Sequence, residues 1–172
     1  MSGHKLPATS YRLSRVIAID PGYERCGVAV LEKQQGKDVV LYSECIRTSV
    51  TLPFSERLLG VGEGISRIID AWKPDALALE TLYFSKNQKT AIAVAESRGV
   101  ATYAAACAGL PLFEYSPGAI KVAVTGVGNA DKKQVMVMVP KLVHLIKTDL
   151  IDDEYDAIAI GITHLNTRNI EG

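Results

Sequence analysis

Four acidic residues, in three separate parts of the chain, have types and spacings that could do chemistry. Asp20 follows a run of four apolar residues and Glu80 follows another, so each is expected at the end of a buried strand. Asp153 and Asp156 begin the last apolar segment three positions apart, which places them on one face of a helix. A carboxylate beside apolar surface is costly to bury unless a cation pairs with it.

The donor types indicate which cation would suit these acids. Four carboxylates without a cluster of His or Cys are typical of Mg²⁺ or Mn²⁺ rather than zinc. Two such ions, about 3.5 to 4 Å apart, can hold a phosphate, generate a hydroxide and stabilise a leaving alkoxide. Lys121 and Lys132 are then the cations expected to steady the phosphate. The residue types are therefore compatible with hydrolysis at a phosphate assisted by two divalent ions.

Each of these signals also has a simpler explanation. Asp20-Pro21-Gly22 is an ordinary turn sequence. Acids in the first turn of a helix are favourable caps, which accounts for Asp152 or Glu154 without any metal. The sequence Gly126-x-Gly128 before a helix suggests a phosphate loop, but this motif is weak when it stands alone.

The elements that must position these acids predict an α/β fold with a mixed sheet of about five strands and helices on both faces. A strand, a tight turn and two further strands form an antiparallel meander, and the strand that ends at Glu80 is expected to lie beside the one that ends at Asp20. The predicted strands cover residues 16–20, 26–31, 39–46, 76–80 and 112–115. The predicted helices cover residues 53–72 and 88–109, a short segment from residue 117, residues 132–146 with an interruption at Pro140, and residues 152–165.

Length and composition predict one domain of residues 16–167, with a flexible arm at 1–15 and a short tail at 168–172. Apolar residues make up 48% and charged residues 22%, the profile of a globular protein. We expect a cytoplasmic protein because no membrane-spanning run and no signal segment is present. The three cysteines, at positions 26, 45 and 107, are expected to be buried free thiols, and His144 and His164 are expected on helix faces rather than as metal ligands.

Net charge is formally zero, but the charges are unevenly spread. Residues 81–148 carry eight basic and three acidic residues, which is compatible with a basic surface beside an acidic pocket. Tyr83 and Phe84 stand side by side within this segment and close to Lys86 and Asn87. These aromatic rings could stack on an unpaired base, or they could simply pack the loop against the core.

The order of these motifs resembles that of RuvC-type Holliday-junction resolvases over about residues 15–167. The set of four acids is far more specific than any one motif. The matching segments are Ile19-Asp20-Pro21-Gly22 with Gly27, Leu79-Glu80 with Tyr83-Phe84 and Lys86-Asn87, Ser97-Arg98-Gly99-Val100, Gly126-x-Gly128-x-Ala130-x-Lys132, and Asp153-x-x-Asp156-Ala157-x-Ala159-Ile160.

The resemblance implies a ribonuclease-H-like fold and a homodimer with two active sites. It also implies Mg²⁺-dependent paired nicking of opposed strands in a four-way DNA junction, with Mn²⁺ as a substitute and a branch-migration motor as a further partner. The implied metal ligands are Asp20, Glu80, Asp153 and Asp156, which with Lys121 and Lys132 form the catalytic set. The predicted DNA contacts are Tyr83, Phe84, Lys86, Asn87, Lys89, Lys121, Lys132 and Lys133.

Some features depart from the family pattern, and different functions remain open. Tyr83 stands where a Phe is more familiar, and Pro140, the arm and the short tail leave details of the DNA-binding surface open. The turn after Asp20 also resembles the first phosphate loop of actin-like and sugar-kinase ATPases, which need two such domains. Two further functions fit the same residues: a junction-binding protein without nuclease activity, and a related nuclease that acts on RNA or on another branched nucleic acid.

Overall fold

A computed structural model describes residues 15–82 and 88–167, without the side chains of residues 88 and 89. The described part is a six-stranded mixed sheet covered by helices on both faces. The predicted arm and tail lie outside it, except for Arg15, which begins the first strand instead of ending the arm. The Arg15 guanidinium is fixed there by hydrogen bonds to the Glu32 carboxylate and the Trp72 carbonyl, at 2.8 and 2.6 Å.

The strands confirm the predicted meander and the predicted position of the strand ending at Glu80 beside the strand ending at Asp20. Strands β1 and β2 pair antiparallel, as do β2 and β3, whereas β4 lies parallel to β1. Their order across the sheet is β5-β4-β1-β2-β3-β6. The bounds are β1 Arg15–Asp20, β2 Arg25–Gln34, β3 Lys37–Arg47, β4 Ala76–Glu80, β5 Leu112–Tyr115 and β6 Val143–Leu145.

Between its charged ends, Arg15 and Asp20, the central strand β1 is apolar because both of its faces are covered. Ile17 and Ile19 point to the side of helices α1 and α2, and Val16 and Ala18 point to the side of α3, α4 and α5. All four side chains are fully buried, so the acid that follows them stands at the end of a rigid core strand. The helix bounds are α1 Phe54–Trp72, α2 Gln88–Cys107, α3 Pro117–Thr125, α4 Lys132–Leu142 and α5 Asp152–Thr167.

The predicted helix over residues 132–146 is wrong at its C-terminal end. Pro140 lies in the last turn of α4, where it removes one backbone hydrogen bond of the helix, and the helix ends two residues later at Leu142. The chain then forms β6, which pairs with β3 from Asp38 onward and adds a sixth strand to the five expected. His144 is therefore an exposed strand residue and does not lie on a helix face.

The cysteines agree only in part with the expectation of buried free thiols. All three are free, but only Cys26 is buried, whereas Cys45 is half-buried and Cys107 is exposed. Cys107 ends α2 on the side away from the core, while Ala104 and Ala105 occupy the buried side.

Within the described ranges, none of the helices combines the length and the apolar character that a membrane crossing requires.

Candidate active site

The carboxylates of Asp20 and Glu80 meet because their strands are parallel neighbours. Ile19 of β1 is in register with Leu79 of β4, so each acid follows at the same edge of the sheet. Both side chains line a cavity of about 250 Å³, together with the side chain of Asp156 from α5. Parallel pairing thus brings together acids that lie sixty positions apart in the sequence.

The turn after Asp20 is more constrained than an ordinary Pro-Gly turn. A Cβ atom at Gly22 would lie 2.0 Å from the carbonyl oxygen of Arg25, so only glycine fits. The Gly22 carbonyl accepts a hydrogen bond of 3.0 Å from the hydroxyl of Ser97, which is completely buried on α2. The sequence analysis named Ser97 only within a segment that resembles the family pattern and predicted no contact for it, because its partner lies 75 positions away.

Helix α5 reaches the site because glycine lets its first turn lie directly on β2. Gly27 pairs with Asp20 in the sheet, and a Cβ atom at Gly27 would lie 2.0 Å from the carbonyl oxygen of Asp153. The backbone of Asp153 therefore rests on the strand next to Asp20. This close approach places Asp153 and Asp156 at the same edge as the two strand-end acids.

Basic side chains neutralise the acids on α5. The Lys132 ammonium donates a hydrogen bond of 2.8 Å to Oδ2 of Asp156 and lies 3.6 Å from Oδ2 of Asp152. The Arg25 guanidinium donates two hydrogen bonds to Oδ2 of Asp153, one of them from Nε at 2.8 Å. Lys132 lies inside the cavity, whereas Arg25 stands outside its lining.

The crowding of acids changes how they titrate. Burial, together with the negative charges of Asp156, Glu80 and Asp153, raises the pKa of Asp20 to about 7, against the lowering effect of Lys132. Burial and the charge of Asp156 also raise the pKa of Glu80, against the opposing effect of Lys121. Acids with raised pKa values in one cavity repel one another when they ionise, and a cation added to the cavity reduces this repulsion.

The acids suit a divalent cation by their chemistry, since every donor is a hard carboxylate oxygen and the cavity already carries excess negative charge. In the part of the chain that the structure describes, no three acidic, His or Cys side chains are placed so that they could hold a metal ion directly. Asp153 and Asp156 instead contact Arg25 and Lys132. The four-acid ligand set therefore stays a prediction, and it requires these carboxylates to turn from their cations to the metal.

The structure brings together five of the six predicted catalytic side chains in one cavity. These are Asp20, Glu80, Asp156, Lys121 and Lys132. Asp153 lies beside the cavity, close enough for its charge to act on Asp20. Among the predicted DNA contacts, Lys133 lines a separate groove along α4, and the remaining residues, namely Tyr83, Phe84, Lys86, Asn87 and the side chain of Lys89, lie outside the described residues.

Glu154 shows that one acid on α5 has a structural role, as the capping explanation predicted. Its carboxylate is 2% exposed and accepts hydrogen bonds from the Ser43 hydroxyl, the Lys147 ammonium and the Ile151 backbone N–H. His164 is also buried and lies 2.9 Å from the Tyr115 hydroxyl. Neither Glu154 nor His164 lines the cavity that holds the strand-end acids.

The raised pKa of Asp20 predicts that metal-free protein loses stability as the pH rises. In the unfolded chain Asp20 loses its proton near pH 3.8, whereas in the folded chain it keeps the proton to about pH 7. The loss of folding stability caused by ionising Asp20 is therefore absent below pH 3.8 and complete above pH 7. We expect wild-type protein to lose about 2 to 3 kcal/mol more than an Asp20→Asn variant between pH 5 and pH 8. Urea unfolding in EDTA at both pH values measures this difference, and parallel losses in the two proteins would contradict it.

Comparison with known proteins gives a consistent result over nearly the whole described chain. Residues 16–164 match the family model described as crossover junction endodeoxyribonuclease RuvC. The RuvC of Leifsonia xyli is 42% identical over 87% of this chain and 73% of its own length. The RuvC of Ruminiclostridium cellulolyticum is 39% identical over 90% of this chain and 93% of its own length.

A solved structure agrees with this family and with the fold. Thermus thermophilus RuvC, in complex with a Holliday junction substrate, superposes with a TM-score of 0.85 at 30% identity and covers 92% of this chain and 96% of its own. The expected ribonuclease-H-like mixed α/β architecture is thereby confirmed. The relatives and the family model, found for a chain whose acids meet at one edge of its sheet, lead to one conclusion: this chain belongs to the RuvC family of crossover junction endodeoxyribonucleases.

Proposed function

We propose that this protein is a structure-selective endonuclease that resolves four-way DNA junctions by metal-dependent hydrolysis of opposed phosphodiester bonds. The observation that carries the proposal is the single cavity lined by Asp20, Glu80 and Asp156 beside Lys121 and Lys132. Acids in such a cavity suit divalent cations, and lysines beside them suit a phosphate. Membership of the RuvC family supports the choice of substrate class.

The metal ligands in this proposal are Asp20, Glu80, Asp153 and Asp156, and the metal is Mg²⁺, with Mn²⁺ as a substitute, at two ions per site. When bound, the metal supplies polarisation of the phosphate and an activated water. The rigid end of β1 fixes Asp20, and the Gly27 contact fixes the backbone of Asp153. Lys121 and Lys132 bind and orient the scissile phosphate from the α3 and α4 side of the cavity.

Paired cleavage needs two active sites, so we propose that the working unit is a homodimer. Helices α1 and α2 leave Leu59, Ile92 and Tyr103 well exposed, at 59%, 58% and 73%. A second copy would cover such apolar surface, and the many alanines of α2 would allow a close approach between helices. A cytoplasmic location and a branch-migration motor as partner stay predictions from the sequence.

Cleavage of a synthetic four-way junction tests the proposed function directly. We expect Mg²⁺-dependent nicks at symmetric positions in two opposed strands and none in a linear duplex of the same sequence. A Lys132→Met variant should lose about 10²-fold or more in single-turnover rate, because it removes the cation beside the scissile phosphate. End-labelled strands on a denaturing gel give both the positions and the rates.

A matched lysine on the same helix provides the control. Lys141 is exposed near the end of α4, outside the cavity, and Lys141→Met should cleave at the wild-type rate. Tight junction binding without cleavage in Mg²⁺ or Mn²⁺ would contradict the nuclease proposal and favour a junction-binding protein. Equal cleavage of the linear duplex would contradict selectivity for the junction.

A further inference from the structure

Arg25 contacts the candidate metal ligand Asp153, although no local sequence pattern places it in the site. It begins β2, and both of its hydrogen bonds go to the same oxygen, Oδ2 of Asp153. Its side chain is 48% exposed, whereas that of Asp153 is 18% exposed. The guanidinium therefore lies at the solvent side of the acidic cluster, where it can leave without unpacking the core.

The two cations beside the helix acids are placed differently. Lys132 lines the cavity and stands close to Asp20, where it remains beside any bound phosphate. Arg25 lies outside the lining and covers the outer side of Asp153. A metal ion that uses Asp153 needs the oxygen that Arg25 occupies or must share the carboxylate with a neighbouring positive charge.

We propose that Arg25 is an internal counterion that competes with the divalent metal for Asp153 and so sets the metal concentration at which the site fills. The inference rests on the proposed metal-dependent function, because it assumes that Asp153 is a ligand. In metal-free protein, Arg25 neutralises Asp153 beside the other acids. When a metal binds, the guanidinium is displaced towards solvent at the mouth of the site.

A purely structural role, in which Arg25 holds α5 against the sheet, is less well supported because other contacts hold the same turn. The Asp153 carbonyl rests against Gly27. The next residue, Glu154, is anchored by the buried Ser43 hydroxyl at 2.7 Å and by Lys147 at 2.9 Å. The helix start therefore stays in place without Arg25, and its removal should change metal affinity more than folding.

Direct measurement of Mn²⁺ binding without DNA tests this competition. Free Mn²⁺, followed by electron paramagnetic resonance during titration, gives the dissociation constant. We expect Arg25→Gln to lower that constant about three- to fivefold, the scale of a partly exposed ion pair, and Arg25→Lys to give an intermediate value. Arg67→Gln breaks a comparable arginine–carboxylate pair with Glu44 on the outside of the fold and should leave the constant unchanged.

Repeating the comparison in an Asp153→Asn background separates competition at Asp153 from a general effect of charge. There the Arg25→Gln change should shift Mn²⁺ affinity by less than about twofold. An unchanged Mn²⁺ affinity in Arg25→Gln, with Mn²⁺ still bound by wild-type protein, would overturn this inference and leave the proposed function intact. If wild-type protein bound no Mn²⁺, the metal-dependent function and this inference would both fall.

Discussion

Asp20→Asn should lower the rate of junction cleavage by at least about 10³-fold while the protein still binds the junction. Asp20 directly follows the fully buried residues 16–19 of β1, where the charges of Asp156, Glu80 and Asp153 all act on it. An asparagine keeps its shape but removes the charge that would hold a cation. Single-turnover cleavage and a gel-shift titration of the same labelled junction measure the two effects separately.

The stability of the same variant tests whether its loss of activity comes from misfolding. Because the Asp20 carboxylate is destabilising in metal-free protein, Asp20→Asn should unfold at a higher urea concentration than wild type at pH 8 in EDTA. Asp70 lies on α1 and forms an exposed ion pair with Lys73, the residue after the helix; Asp70→Asn is the control and should cleave normally. Cleavage by Asp20→Asn within about tenfold of wild type would show that Asp20 does not hold the metal.

Gly27→Ala should destabilise the protein by more than about 3 kcal/mol and abolish cleavage. The new Cβ atom would lie 2.0 Å from the carbonyl oxygen of Asp153 and 2.7 Å from its carbonyl carbon. These are backbone atoms, so the overlap can be relieved only by moving α5 away from β2. The helix carries Asp153 and Asp156, and the same movement would take both acids away from Asp20.

A second glycine gives the matched control for this substitution. Gly99 lies inside α2, and a Cβ atom there would meet nothing within 4 Å. Gly99→Ala should therefore stabilise the protein by about 0.5 to 1 kcal/mol, the usual gain of alanine over glycine in a helix. Urea unfolding of the two variants measures the contrast, and a Gly27→Ala protein as stable as wild type would contradict the close packing of α5 on β2.

The sequence determined five of the six strands, the approximate helix positions and the identity of the acids, because these depend on local patterns. Burial of both faces makes residues 16–19 of β1 a continuous apolar run, and an acid directly after such a run is visible without a structure. The spacing of Asp153 and Asp156 likewise places them on one helix face. Their common order along the chain carried the resemblance that the family match confirmed.

The tertiary structure decided which residues support those acids, because the supporting contacts join distant parts of the chain. Arg25 reaches Asp153 across 128 positions, and Ser97 reaches Gly22 across 75. Strand β6 forms only because β3 offers a free edge where α4 ends, so its three residues have no local signal strong enough to predict a strand. The residue types of the candidate metal ligands can be read from the local sequence. The basic side chains that contact them are set by packing between elements, which no local pattern specifies.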